Sequence, residues 1–235
     1  MKLLAMKDSG DGPLSEIVRD SDDERKHEAA WRESQLEIVG TITIPLVLAN
    51  LINASVVWLS FKETPADFAL SVWLVCIAAI CAAAFVTNKV RTYRPSDLAI
   101  ARKVMREYTF VAAIAGLLWA SVPIIVMNVT DSYGQMIVGV VLAGVMFTGA
   151  LLMSRLPKAA FAFIVPIGLG LVAEMQFQQN PKYQYTSILT LAYVAILILA
   201  IRWSHRQFVL KSINETAVRE QSHLIGLLLR DFEES

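Results

Sequence analysis

Charge is what this sequence has least of. Of 235 residues, only 18% are Asp, Glu, Lys or Arg, against 55% hydrophobic. A soluble domain carries about 25% charged and about 45–50% apolar residues. The deficit therefore points to a membrane protein, in keeping with a mean hydropathy of +0.51. The charge is also segregated. Met1–Arg32 holds six Lys/Arg and eight acids, whereas Pro45–Phe61 holds neither sign. The formal net charge is zero, so no basic field points to nucleic acid as a partner. Branched and aromatic residues fill the middle of the chain and exclude disorder there.

Other absences remove whole classes of chemistry. Cys76 and Cys81 are the two cysteines, and both lie in one apolar run. Five residues apart on a helix, they sit about 140° from each other and read as small apolar packing residues. The three histidines, His27, His205 and His223, lie outside the apolar runs, so no in-membrane pair is placed to hold a b-type haem. No Lys lies within a run to form a Schiff base. No run carries the paired acids that pumps use. HExxH, GxSxG, Walker A and CxxC motifs do not occur. No catalytic, cofactor-binding or metal-ligating residue is assigned, and no enzyme activity is expected of this chain. The short apolar stretch after Lys2 ends at Lys7 and Asp8, so no secretory signal peptide is expected.

What remains is six apolar runs, each near the roughly 20 helical residues that cross a bilayer. They are Leu36–Phe61, Pro65–Thr87, Tyr108–Asn128, Gly134–Met153, Ala159–Phe177 and Thr186–Trp203. Length and lack of alternation make them helical. Six spans put both termini on one side. Of the 21 Lys and Arg, all but Lys62 and Lys182 fall on that side, which the positive-inside rule makes cytoplasmic. The outer loops are short, Gln178–Tyr185 being the longest. Any stimulus is then read within the membrane or at its faces. Between the second and third spans, Arg94-Pro95-Ser96-Asp97 reads as a helix start with Ser96 as N-cap. The stretch from Asp97 can run unbroken into the third span as a basic stem carrying Arg102 and Arg106. Those residues serve either snorkelling and orientation or recognition of lipid headgroups.

Few polar residues lie inside the spans. Asn50 and Asn53 share one side of the first helix and are expected to face the bundle and bond other helices. Glu174 lies one turn from the outer end of the fifth span and is expected to snorkel as an interfacial carboxylate, with a sensory acid as the alternative. Ala112, Gly116 and Ala120 form a small-residue ridge, as do Gly139 and Ala143; both are expected to pack within one bundle. Pro45, Pro123 and Pro166 sit inside the outward-going helices, where kinks are expected.

The tail continues from the sixth span without an early breaker. Leu210, Ile213, Ala217, Leu224 and Leu227 form a heptad seam interrupted by Glu220. Val218, Ile225, Leu228 and Phe232 offer a second, shifted seam. The pattern predicts a parallel two-helix coiled coil, hence a homodimer, with a lone amphipathic helix as the alternative. Asp231–Ser235 reads as a connector at a domain boundary.

Several stretches resemble one family. Pro45-Leu-Val-Leu-Ala-Asn-Leu-Ile-Asn-Ala-Ser-Val-Val-Trp58, Ala115-Gly-Leu-Leu-Trp-Ala120 and Ser154-Arg-Leu-Pro-Lys-Ala-Ala-Phe-Ala-Phe-Ile-Val-Pro166 look like parts of a six-span N-terminal sensor module. That module belongs to bacterial cyclic-di-GMP proteins (GGDEF and EAL enzymes) and to sensor histidine kinases. Leu227-Leu-Leu-Arg-Asp-Phe-Glu-Glu234 is similar to the stretch that leads into a PAS domain. The resemblance implies a sensory role in the bacterial inner membrane and an output domain elsewhere; it carries over no catalytic residue.

The resulting expectation is an all-α integral membrane bundle of six transmembrane helices, N-in and C-in, with a C-terminal cytoplasmic coiled-coil helix. Residues 1–34 are a charged cytoplasmic segment, 35–203 the membrane domain and 204–235 a signalling helix. Its partners are a second copy of itself and membrane lipid. The alternative is a small transporter or channel, against which the scarcity of charge in the spans and the long tail argue.

Overall fold

The computed structural model describes residues 40–90, 98–178 and 181–233, with side chains for 40–87, 103–178 and 181–211. Among them it is all-helical. The helices are α1 (Gly40–Ser60), α2 (Asp67–Val90), α3 (Leu98–Val126), α4 (Ser132–Leu152), α5 (Pro157–Phe177) and α6 (Lys182–Glu233). All six are long and apolar enough to cross a membrane, as the apolar runs predict. The chain has the architecture of a multi-pass membrane protein. The expected start of the first span at Leu36, the Ser96 cap and the Arg102 side chain lie outside the described residues.

The described connections are short and locally encoded. The α1–α2 turn closes through bonds from the Thr64 amide to the Phe61 carbonyl (3.2 Å) and from the Asp67 amide to the Thr64 carbonyl (3.0 Å). Glu63 adopts the left-handed region there, with φ 72°. Asp131 caps α4, its carboxylate accepting from the Gly134 amide at 2.9 Å, which satisfies one of the free first-turn donors. Pro157 opens α5, where its missing N–H costs nothing. The sixth helix begins at Lys182. The outer loop expected to run to Tyr185 is therefore shorter, because Lys182–Tyr185 already joins the helix.

The core is built on α3 and α5. Gly116 lies so close to α5 that a Cβ there would collide with the backbone carbonyl of Phe163. Reciprocally, a Cβ on Gly170 would sit 2.8 Å from the Ala120 carbonyl oxygen. Lipid offers no hydrophobic drive between helices, so close backbone approach and van der Waals contact hold them together. The Ala112–Gly116–Ala120 ridge thus packs as expected. Gly139 has no such close approach: a Cβ there would meet nothing within 4 Å, although one turn on the Ala143 carbonyl accepts from the Tyr193 hydroxyl of α6 at 3.0 Å.

Outward, the surface is apolar. Ile44, Leu48, Ile52, Val56 and Leu59 of α1 are all exposed, and so are Ile188, Leu189, Ile196 and Leu199 of α6. Continuous apolar faces of this extent are foreign to a soluble monomer and suit hydrocarbon. In the described residues, α1 runs as helix through Pro45, α3 through Pro123 and α5 through Pro166.

The two glycines make opposite predictions. Gly116→Ala is expected to cost about 1–3 kcal/mol through overpacking against immovable backbone. Gly139→Ala should be neutral or stabilising by up to about 1 kcal/mol through helix propensity. Denaturant titration of both variants in mixed micelles measures the difference, and equal effects would refute the close α3–α5 contact.

Candidate functional site

Among the described residues, two polar sites interrupt the apolar bundle. The first lies at its centre. Trp119 on α3 is fully buried, and its indole Nε1 donates to Asn50 Oδ1 on α1 at 2.7 Å. The Asn50 amide in turn donates to the Leu46 carbonyl one turn back, at 2.8 Å. Trp73 on α2 meets Trp119 edge to face, with ring centroids 5.0 Å apart and planes at 80°. Its own indole N–H donates to the Leu118 carbonyl at 2.7 Å. Two helices, α1 and α2, are therefore keyed to one turn of α3 by directional bonds. The Trp58 indole adds a fourth tie, donating to Ser71 Oγ of α2 at 2.9 Å.

The expectation for the asparagine pair is met only by Asn50. Asn53 Nδ2 donates to the Ala49 carbonyl of its own helix at 2.9 Å and, among the described residues, bonds no other helix. An amide at i can reach the carbonyl at i−4, so it does not need a neighbour. Trp73 and Trp119 carry the centre, and sequence reasoning did not single them out as polar anchors. The available signal was an indole N–H in an apolar run, which needs an acceptor when buried.

The second site lies at the opposite end from the start of α1. Glu174 is not snorkelling: it is buried, at 5% exposure. Asn128 Nδ2 at the end of α3 donates to Glu174 Oε1 at 2.8 Å. Gln178 Nε2 bridges Asn128 Oδ1 at 3.0 Å and Glu174 Oε1 at 3.4 Å. Two amides thus satisfy the carboxylate within the protein, which removes the reason for it to reach water. Nearby, Gln135 of α4 donates to the Met127 carbonyl at 2.9 Å and accepts from the Tyr183 hydroxyl of α6. The ends of α3, α4, α5 and α6 are laced together there by side chains.

At the other end the contacts are cationic and aromatic. Arg155, in the α4–α5 turn, lies 4.7 Å from the Phe208 ring centroid on α6. Arg202 of α6 lies 6.0 Å from that of Phe161 on α5. Leu210 is exposed. The side chains of Ile213, Ala217, Leu224 and Leu227, and the whole second seam, lie outside the described residues. No three His, Cys, Asp or Glu side chains converge on a metal position among the described residues. No protein-family model, curated protein or solved structure matches the chain.

The centre yields a direct test. Asn50→Leu strips Trp119 of its acceptor and is expected to cost about 0.6–2 kcal/mol of bundle stability. Trp119→Phe should cost a comparable amount beyond its lost volume, with strong coupling in the double variant. Asn53→Leu should be close to neutral. Steric-trap unfolding in bicelles measures all three, and an Asn53 effect as large as that of Asn50 would contradict the assignment.

Proposed function

We propose that the chain is the membrane sensory and dimerisation module of a bacterial signal-transduction protein. In this reading it lies in the inner membrane with both termini cytoplasmic and relays a change of state through α6 to an output domain of the diguanylate cyclase, phosphodiesterase or histidine kinase kind. The carrying observation is α6 itself. It runs 52 residues as one helix, about 78 Å at 1.5 Å per residue, whereas the hydrocarbon core takes about 30 Å. More than half of the helix therefore projects beyond the bilayer, on the side where Lys and Arg collect. Rotation or sliding of α6 within the bundle displaces that projecting part as a unit. The Arg155–Phe208 and Arg202–Phe161 contacts sit where the helix leaves the bundle, each worth about 0.5–1 kcal/mol, weak enough to be rearranged.

The projecting segment supports pairing. An isolated helix would expose the apolar residues of both seams to water, and pairing buries one seam at about 0.8 kcal/mol per CH₂. Helices leaving the same face of one membrane pair in parallel. Glu220 on one seam and Gln221 on the other keep the coil marginal, so a small shift from the spans selects a register. Buried Glu174 favours the second reading, a small transporter or channel, since an ionisable group within a bundle is the usual mark of an ion path. Its two amide partners and its place at one end of the bundle suit a structural clasp better.

Single cysteines at positions 210, 213, 217, 224 and 227 are expected to crosslink between protomers in native membranes, while 212 and 216 do not. A monomer in nanodiscs with no crosslink at any position would remove the mechanical link. Reporter fusions after Pro95 and Ser235 should read cytoplasmic and a fusion after Glu63 external; the reverse pattern would overturn the orientation.

A further inference from the structure

A cavity of about 50 Å³ lies among α1, α2, α3 and α5, in the half of the bundle where α1 begins. Its wall is almost wholly apolar, with Leu46, Ile77, Val111 and Phe163 among the lining residues, and it is only partly enclosed. Thr43, Asn50, Cys81 and Tyr108 interrupt that wall. The Tyr108 hydroxyl is shielded from solvent and has no hydrogen-bond partner. Asn50 spends its oxygen on Trp119 and one amide hydrogen on Leu46, which leaves its second N–H without a bond. Unsatisfied polar groups inside an apolar bundle are costly, the more so where lipid replaces water. Both of these groups can donate, and both line the same space. Ligand pockets have this composition: apolar walls with a few placed polar groups that fix orientation.

Size narrows the occupant. A water needs at least about 10–15 Å³ and two to four polar partners. The wall is almost wholly apolar, which disfavours a cluster of waters, and the volume admits only a few heavy atoms. An oxygen acceptor with one or two attached carbons fits, provided the rest of the molecule leaves through the open side into the hydrocarbon. We propose that this cavity binds the carbonyl head of a lipid-soluble chain molecule, with Tyr108 and Asn50 donating to the carbonyl oxygen. The carbonyl comes either from a small ketone or ester dissolved in the membrane or from the ester linkage of a bilayer lipid. Binding does not rest on the sensory reading; its use as the stimulus does.

The test uses the full chain in nanodiscs and a diazirine-bearing alkyl ketone as photoprobe, with crosslinks mapped by mass spectrometry. Labelling is expected to concentrate on the α1 and α3 segments around Asn50 and Tyr108. Excess methyl nonyl ketone should compete it away, while n-undecane should not. Tyr108→Phe should weaken the competed labelling at least five-fold, and Ala84→Phe, which fills space at the cavity wall, should abolish it with an unchanged unfolding midpoint. Stronger labelling in ether-lipid than in ester-lipid nanodiscs assigns the site to a lipid ester; equal labelling assigns it to a dissolved molecule. Labelling spread evenly over lipid-facing helices, competition by undecane, or a Tyr108→Phe variant that labels like the parent would overturn the proposal. Intact labelling with no α6 crosslinks would keep the site and remove the sensory reading.

Discussion

An indole N–H buried among helices has nowhere to turn but to the protein, and the centre of this bundle follows from that constraint. Trp119 is fully buried. It supplies a large apolar surface, but its N–H needs an acceptor. Asn50 provides one, and that single bond sets the height and rotation of α1 against α3. The edge-to-face contact with Trp73 and the Trp73 bond to the Leu118 carbonyl do the same for α2. Dispersion alone would tolerate sliding by a fraction of a turn; directional bonds at 2.7 Å do not. Helix α3 is thus the hub, joined to α1 and α2 by tryptophans and to α5 by bare backbone at Gly116 and Gly170.

The two ends of the bundle are built differently, and the difference bears on the proposed relay. One end is laced by amides, a carboxylate and a tyrosine hydroxyl linking α3 to α6. The other holds α6 through cations against aromatic faces, contacts that are weaker and less directional. A disturbance of the bundle moves α6 most easily at the end where it projects. The proposed carbonyl site lies in that same half, and Asn50 belongs both to it and to the central lock. An occupant that bonds Asn50 therefore competes for the geometry that positions α1.

The helices were legible because hydrocarbon thickness and apolar run length impose the same number of residues. The continuation of α3 back to Leu98 and of α6 to Glu233 was legible from the absence of breakers. The small-residue ridge at Gly116 was legible as a type of contact, but not its partner. Gly139 carries the same pattern, yet a Cβ there would meet nothing within 4 Å, since spacing shows which residues can approach and not which helix arrives. Asn53 and Glu174 depart from the expectation for a related reason. A polar side chain in a span must be satisfied, but the sequence does not say by whom. Asn53 found its own backbone; Glu174 found Asn128, 46 residues away in the chain, and had no need of the interface.

The prolines complete the account of α3 and α5. Pro123 cannot donate to the Trp119 carbonyl, nor Pro166 to that of Ala162, because each lacks the amide hydrogen that the helix ladder requires. The two most closely approaching helices therefore both have an interrupted ladder within the apolar region. In lipid an interruption is tolerated where neighbouring side chains serve freed backbone groups. Beside the first gap, the Leu118 carbonyl accepts from Trp73 Nε1 and from Ser121 Oγ, both at 2.7 Å. The indole that fixes α2 thus also supplies a donor where the ladder of α3 is weakest. Rotation of α2 would break that bond next to a turn already short of one, so the Pro123 region is where a change in the bundle most easily becomes a bend in α3.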